Sequence, residues 1–117
     1  MLGLELAGEV AAVGPEVTQW AEGQAVCGLV GGGAYAEYAL LREEMALPLP
    51  EDWTWEMGAA VPEAFLTAWQ SLVWLGKIQP GERVLIHAGA SGVGTAAIQL
   101  ARELGAEVWV TASPEKH

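Results

Sequence analysis

A single cysteine, Cys27, occurs in the 117 residues. That excludes an internal disulfide and a cysteine-rich zinc site, and a reducing, cytoplasmic setting is expected. Cations are scarce as well. Five Lys and Arg stand against fifteen Asp and Glu, a net charge of −10. Without a basic patch to neutralise phosphates, no nucleic-acid partner is expected. No apolar run approaches the ~20 residues of a membrane-spanning helix, so no membrane association is expected either. The opening Met1-Leu2-Gly3-Leu4-Glu5 lacks the basic start of a signal peptide. Glu5, Glu9 and Glu37 show no metal-ligand spacing, and no metal site is expected.

Apolar residues are plentiful, at 52% with six Trp, so the chain can bury a core of one modest domain. Its organising stretch is Arg83 to Gly105, RVLIHAGASGVGTAAIQLARELG. Val84, Leu85 and Ile86 read as a strand buried on both faces. Gly89-Ala90-Ser91-Gly92-Val93-Gly94 is a turn with little side chain. Val93, Ala97, Leu100, Ala101 and Leu104 then recur at helical spacing, and Gly105 is a C-terminal stop.

Strand, glycine turn and helix in this order open a βαβ unit. The turn lets a backbone approach a pyrophosphate, which lies on the unpaired N–H groups of the helix. Gly89 and Gly94 fall on the first and third glycines of the dinucleotide fingerprint, while Ser91 takes the second place and Gly92 is added. The alternative is a tight strand-to-helix connection without a ligand. About 20 residues on, such units place an acid for the ribose hydroxyls. Here Thr111 and Ala112 are not acidic, and Ser113 and Lys116 offer a hydroxyl and a cation, which suits a 2′-phosphate and therefore NADPH. The alternative for Lys116 is a solvated residue.

In chain order, Leu4 to Val13 reads as a strand, Glu16 to Gly23 as a loop around Trp20, and Gln24 to Val30 as a second strand carrying a buried Cys27. After Gly31-Gly32-Gly33, Ala34 to Leu41 reads as a third strand, with Tyr35 and Glu37 on one face and Tyr38 on the other. Short strands with glycine-rich turns suggest a small sheet or part of a barrel. Met45 to Asp52 is held extended by its prolines. Thr54 caps a short helix, and Pro62 ends or restarts it. A helix follows from Glu63 to Leu75, with Phe65, Ala68, Trp69, Leu72 and Val73 on one face and Gly76 closing it. Gln79 to Glu82 is a turn. His87 ends the central strand beside the glycine turn, with two readings, a catalytic or cofactor contact and a backbone-satisfied structural role, the second being the commoner outcome.

LGLELAGEV from Leu2 to Val10, GGAYAEYAL from Gly32 to Leu40, AAVPEAFLTAW from Ala59 to Trp69 and VLIHAGASGVGT from Val84 to Thr95 together resemble the medium-chain dehydrogenase/reductases. Within them the chain is most similar to the zinc-free, zeta-crystallin-like NADPH:quinone oxidoreductases. The resemblance implies a mixed α/β fold, a partial GroES-like β-barrel over residues 1–56 joined to the first βαβ unit of a Rossmann fold over residues 57–117. Gly3-Leu4-Glu5 matches a Gly-His-Glu of the zinc-dependent members, and Leu4 cannot bind a metal. The resemblance further implies hydride transfer from NADPH to a quinone or enone, Thr67 near the nicotinamide, and Ser91, Gly92, Val93, Gly94 and Thr95 facing the pyrophosphate. Compared with the family the chain reads as a truncated piece without an identifiable catalytic residue. A competing reading is a non-catalytic module that forms homo-oligomers through open sheet edges and keeps a vestigial nucleotide site.

Overall fold

A computed structural model describes residues 2–116, Lys116 for its backbone alone. The chain divides into two compact units, Met1–Glu63 and Ala64–His117.

In the first unit, β1 (Glu5–Glu9), β2 (Ala25–Leu29) and β3 (Ala46–Pro48) form an antiparallel sheet in that order. Cys27 lies at the centre of β2, facing Ala7 of β1 and Leu47 of β3 in register. The loop before β2 is tied down by Glu43. Its Oε1 accepts from the Thr18 amide at 2.7 Å and from the Gln19 amide, and its carbonyl accepts from Trp20 Nε1. The five-residue helix α1 (Trp55–Ala59) packs on β1 and β2. Thr54 caps it, accepting from the Met57 amide at 3.3 Å. Bonds from its own amide and the Thr54 hydroxyl hold the Glu56 carboxyl below its usual range.

Ala34 to Leu41 is not a strand. The segment bends at residues 35–38, and Tyr35, Tyr38 and Leu40 are 79% exposed or more. Aromatic alternation makes a strand only where a neighbour supplies the ladder. Here Gly33 and Ala34 donate to the carbonyls of Leu2 and Gly3, and no described neighbour continues the pairing.

Cys27 is only 4% exposed, and burial pushes its thiol pKa up. A raised folded-state value means that the stabilisation is complete below the unfolded pKa and is lost as pH climbs through the folded one. Stability should therefore fall above roughly pH 9, near and beyond the ordinary thiol range. Urea midpoints at neutral and alkaline pH check this, and Cys27→Val should remove that part of the dependence.

The second unit is built on β4 (Arg83–Ile86), α3 (Gly92–Glu103) and β5 (Glu107–Val110). β4 and β5 pair in parallel, Leu85 opposite Trp109, joined by α3. Before them runs α2 (Pro62–Trp69), continued by a π-helical stretch over Gln70–Leu75. Pro62 thus restarts a helix, as suits a residue without an N–H at the first helical position. Glu5 Oε2 accepts from the next amide, that of Glu63, at 2.9 Å. Ala68, Ala96 and Ala97 form the centre of the core, with Ala64, Phe65, Leu72, Ile86 and Leu100 packed around them. Small side chains there let α2 and α3 come close.

Two expectations need correction. Only Val84 and Ile86 turn inward from β4; Leu85 and Trp109 are each 58% exposed, because α3 covers one face of a two-stranded sheet. Trp69, placed on the inner face of α2, is exposed because the core is set by Phe65, Ala68 and Leu72.

Helix closure differs at the two ends read from glycines. After α3, Gly105 adopts φ 80°, and the Ala106 and Gly105 amides donate to Ala101 and Arg102, a complete Schellman stop. After the π stretch Gly76 stays right-handed at φ −75°, and Lys77 takes the left-handed conformation at φ 51°. Lys77→Gly should therefore raise stability by about 0.5–1 kcal/mol, read as a higher urea midpoint.

Candidate functional site

The site is the connection between β4 and α3. Ile86 and Thr111 are joined by the Thr111 amide donating at 3.0 Å, and the Gly89 amide donates to the Thr111 carbonyl at 2.9 Å. The turn is thus fastened to the end of β5. Gly89 is buried, and a Cβ on it would lie 2.8 Å from Val110 Cβ. Ala88 stands at φ 55°, a conformation uncommon for residues with a Cβ. Nothing in the composition of the turn singled out Ala88, since the glycines beside it take ordinary conformations and the alanine carries the left-handed turn.

Ser91 is the N-cap of α3, its Oγ accepting from the Gly94 amide at 3.0 Å. One of the open donors of the helix is used up in this way, while the Ser91 hydroxyl keeps its own proton to donate. The Gly94 role is packing. A Cβ there would strike the Ala88 carbonyl oxygen and sit 2.9 Å from Gly89 Cα. Gly92 is the reverse case, exposed, with nothing within 4 Å of the place a Cβ would occupy. The amides of Gly92 and Val93 donate to no partner among the described residues and stand at the positive end of a 12-residue helix. Thr95 turns its hydroxyl back onto the helix, donating to the Gly92 carbonyl at 2.9 Å.

Ser91, Val93 and Gly94 line a cleft of about 240 Å³ with Ala68, Ser71 and His87. Ser71, not anticipated from sequence, reaches this cleft from the π-helical stretch, with its hydroxyl on the Thr67 carbonyl at 2.9 Å. Thr67 itself is exposed on α2 and is not among the residues lining the cleft. Ser113 is exposed beyond β5. The Lys116 side chain lies outside the described residues. His87 bonds a side chain rather than backbone, its Nδ1 lying 3.0 Å from Thr111 Oγ1.

Chemically this is a seat for an anion with backbone donors, a hydroxyl and the helix field, fixed at the carboxyl ends of parallel strands where ligands of open α/β sheets bind. Gly92, without a side chain, leaves the space beside these donors open.

Residues 1–51 match the alcohol dehydrogenase GroES-like domain family. Among curated proteins, the polyketide synthase GfsB of Streptomyces halstedii is 53% identical over 116 residues, covering 99% of this chain and 2% of the synthase. Among solved structures, the CurK enoyl reductase superposes with a TM-score of 0.91 at 44% identity, over 98% of this chain and 35% of that one. The chain belongs to the medium-chain dehydrogenase/reductase superfamily. Its relatives include the quinone oxidoreductase of Thermus thermophilus, whose complex with NADPH is solved, at 37% identity and a TM-score of 0.78 over 97% of this chain and 35% of that one. The chain thus spans about a third of the solved enzymes and a small share of the synthase. Among the described residues, no helix is long and apolar enough to cross a membrane.

Proposed function

We propose that this chain is the cofactor-gripping part of a zinc-independent, NADPH-dependent reductase acting on quinones or enones. In this reading β4, α3 and β5 are the first βαβ unit of a Rossmann fold, and the first unit is part of the GroES-like catalytic domain. The observation that carries it is the pair of unpartnered amides, Gly92 and Val93, above a position with open space where a side chain would be. An enoyl reductase and a quinone oxidoreductase among the similar structures support a reductase reading, with hydride transfer to a quinone or enone as the proposed reaction.

When bound, NADPH supplies that hydride and leaves as NADP+. The chain's own contribution is binding and orientation. The Gly92 and Val93 amides and the Ser91 hydroxyl would donate to the diphosphate, and Gly89 and Gly94 keep the turn close to β5 and α3. By the resemblance, Ser113 would meet the 2′-phosphate and Thr67 would lie toward the nicotinamide. Leu4, in place of a histidine, supports a metal-free site in which hydrogen-bond donors stabilise the developing oxyanion. Turnover belongs to the whole reductases; for this chain the proposal is nucleotide binding. Thermal unfolding with NADPH in hundredfold excess over its dissociation constant should show about 2.7 kcal/mol of added stability. No shift at any concentration refutes the reading.

A second reading, a non-catalytic oligomerising module, is favoured by the exposed Leu85 and Trp109 side by side on the uncovered sheet face. Light scattering tests it, and a strict monomer at all concentrations would count against it.

A further inference from the structure

Thr111 follows β5 where sites of this topology carry the group that meets the adenosine ribose. Its backbone is fixed to Ile86 and Gly89, and its hydroxyl oxygen lies 3.0 Å from His87 Nδ1. That last bond has three chemical forms; in one, a neutral ring protonated on Nδ1 donates to the Thr111 oxygen without a charge, and the other two differ in charge. With His87 neutral and its proton on Nε2, Nδ1 accepts, so the Thr111 O–H is spent on the ring and only lone pairs remain for a ligand. With His87 protonated, Nδ1–H donates, the Thr111 oxygen accepts, and the Thr111 proton is free to point outward beside a positive charge. A ribose 2′-hydroxyl, which can donate, suits the neutral form with its proton on Nε2. A 2′-phosphate, which accepts, suits the charged form.

We infer that His87 and Thr111 form a proton-controlled selector between nicotinamide nucleotides with and without a 2′-phosphate. It rests on the nucleotide-binding reading above and adds a residue pair that sets specificity. Both side chains are exposed, so the proton exchanges directly with solvent. Among the described residues lining the cleft beside His87, none is charged. The charged side chains sharing its strand face are Arg83, four residues back on β4, and Glu107 on β5, which accepts from Trp109 Nε1 at 3.1 Å. Glu115 follows on the short 3₁₀ turn after Ser113.

The range examined runs from about pH 5 to about pH 8. Calorimetric dissociation constants of NADP+ and NAD+ are compared near the two limits for the wild type, His87→Gln, Thr111→Val and Thr111→Ser. The 2′-phosphate gains a proton in the same range, so the quantity read is the change in NADP+ over NAD+ preference relative to that of His87→Gln. The wild type and Thr111→Ser should show a preference for NADP+ that rises about fivefold more on acidification than in His87→Gln or Thr111→Val, as charge-assisted bonding implies. Equal pH dependence in wild type and His87→Gln overturns the selector. Nitrogen NMR of the wild-type ring reads the bond without any variant, and a neutral ring protonated on Nδ1 also overturns it. Failure of the wild type to bind either nucleotide removes the binding proposal as well, whereas binding of both with no such difference removes the selector alone.

Discussion

Gly94→Ala is expected to destabilise the second unit by ~1–3 kcal/mol, the range for overpacking a close contact. Helix propensity argues the other way, since alanine is favoured over glycine by about 1 kcal/mol within a helix. Geometry decides the sign. The added methyl would overlap the Ala88 carbonyl oxygen and press on Gly89, both backbone, and neither has a side-chain rotamer through which to yield. Relief would require α3 to lift away from the turn, separating Ala96 and Ala97 from Ala68. Gly92→Ala, two positions earlier and facing open space, is the control and should change stability by less than about 0.5 kcal/mol. Urea unfolding of the two variants gives the comparison. Equal effects would mean that the close contact at Gly94 is unimportant.

Gly92→Asp is expected to separate binding from folding. A carboxylate in the first turn of α3 meets the positive end of the helix and should leave stability unchanged or raise it by about 0.3–1 kcal/mol. The same carboxylate would compete for the Gly92 and Val93 amides and repel a diphosphate. NADPH affinity should fall at least about tenfold, equivalent to 1.4 kcal/mol or more. Nicotinamide fluorescence titration and thermal unfolding of one variant measure both. A drop in binding accompanied by an equal drop in stability would point to misfolding and not to an obstructed seat.

The strand, turn and helix around Gly92 were legible because each step has a local chemical cause: an apolar run, residues with small side chains, an N-cap serine and a glycine stop. Thr54 and Pro62 were readable for the same reason. What depended on neighbours was not. Ala34 to Leu41 carries a strand's composition without a ladder to join, and Leu85 is apolar without a layer to cover it. Gly76 and Lys77 show the limit of residue type as a guide, since the last turn is π-helical and its extra residue shifts the left-handed position onto the lysine. The glycine spacing located the turn between β4 and α3, but the left-handed Ala88 left no mark in composition. The bond between His87 and Thr111 joins residues 24 apart in sequence and exists only because β4 and β5 are parallel and in register.

The most direct measurement is the amide spectrum of the isotope-labelled chain titrated with NADPH. The Gly92 and Val93 amide resonances should move first and furthest, with a saturating dependence on concentration. Unmoved Gly92 and Val93 signals at saturating NADPH, with shifts elsewhere or none, would contradict the claim that the start of α3 grips the diphosphate.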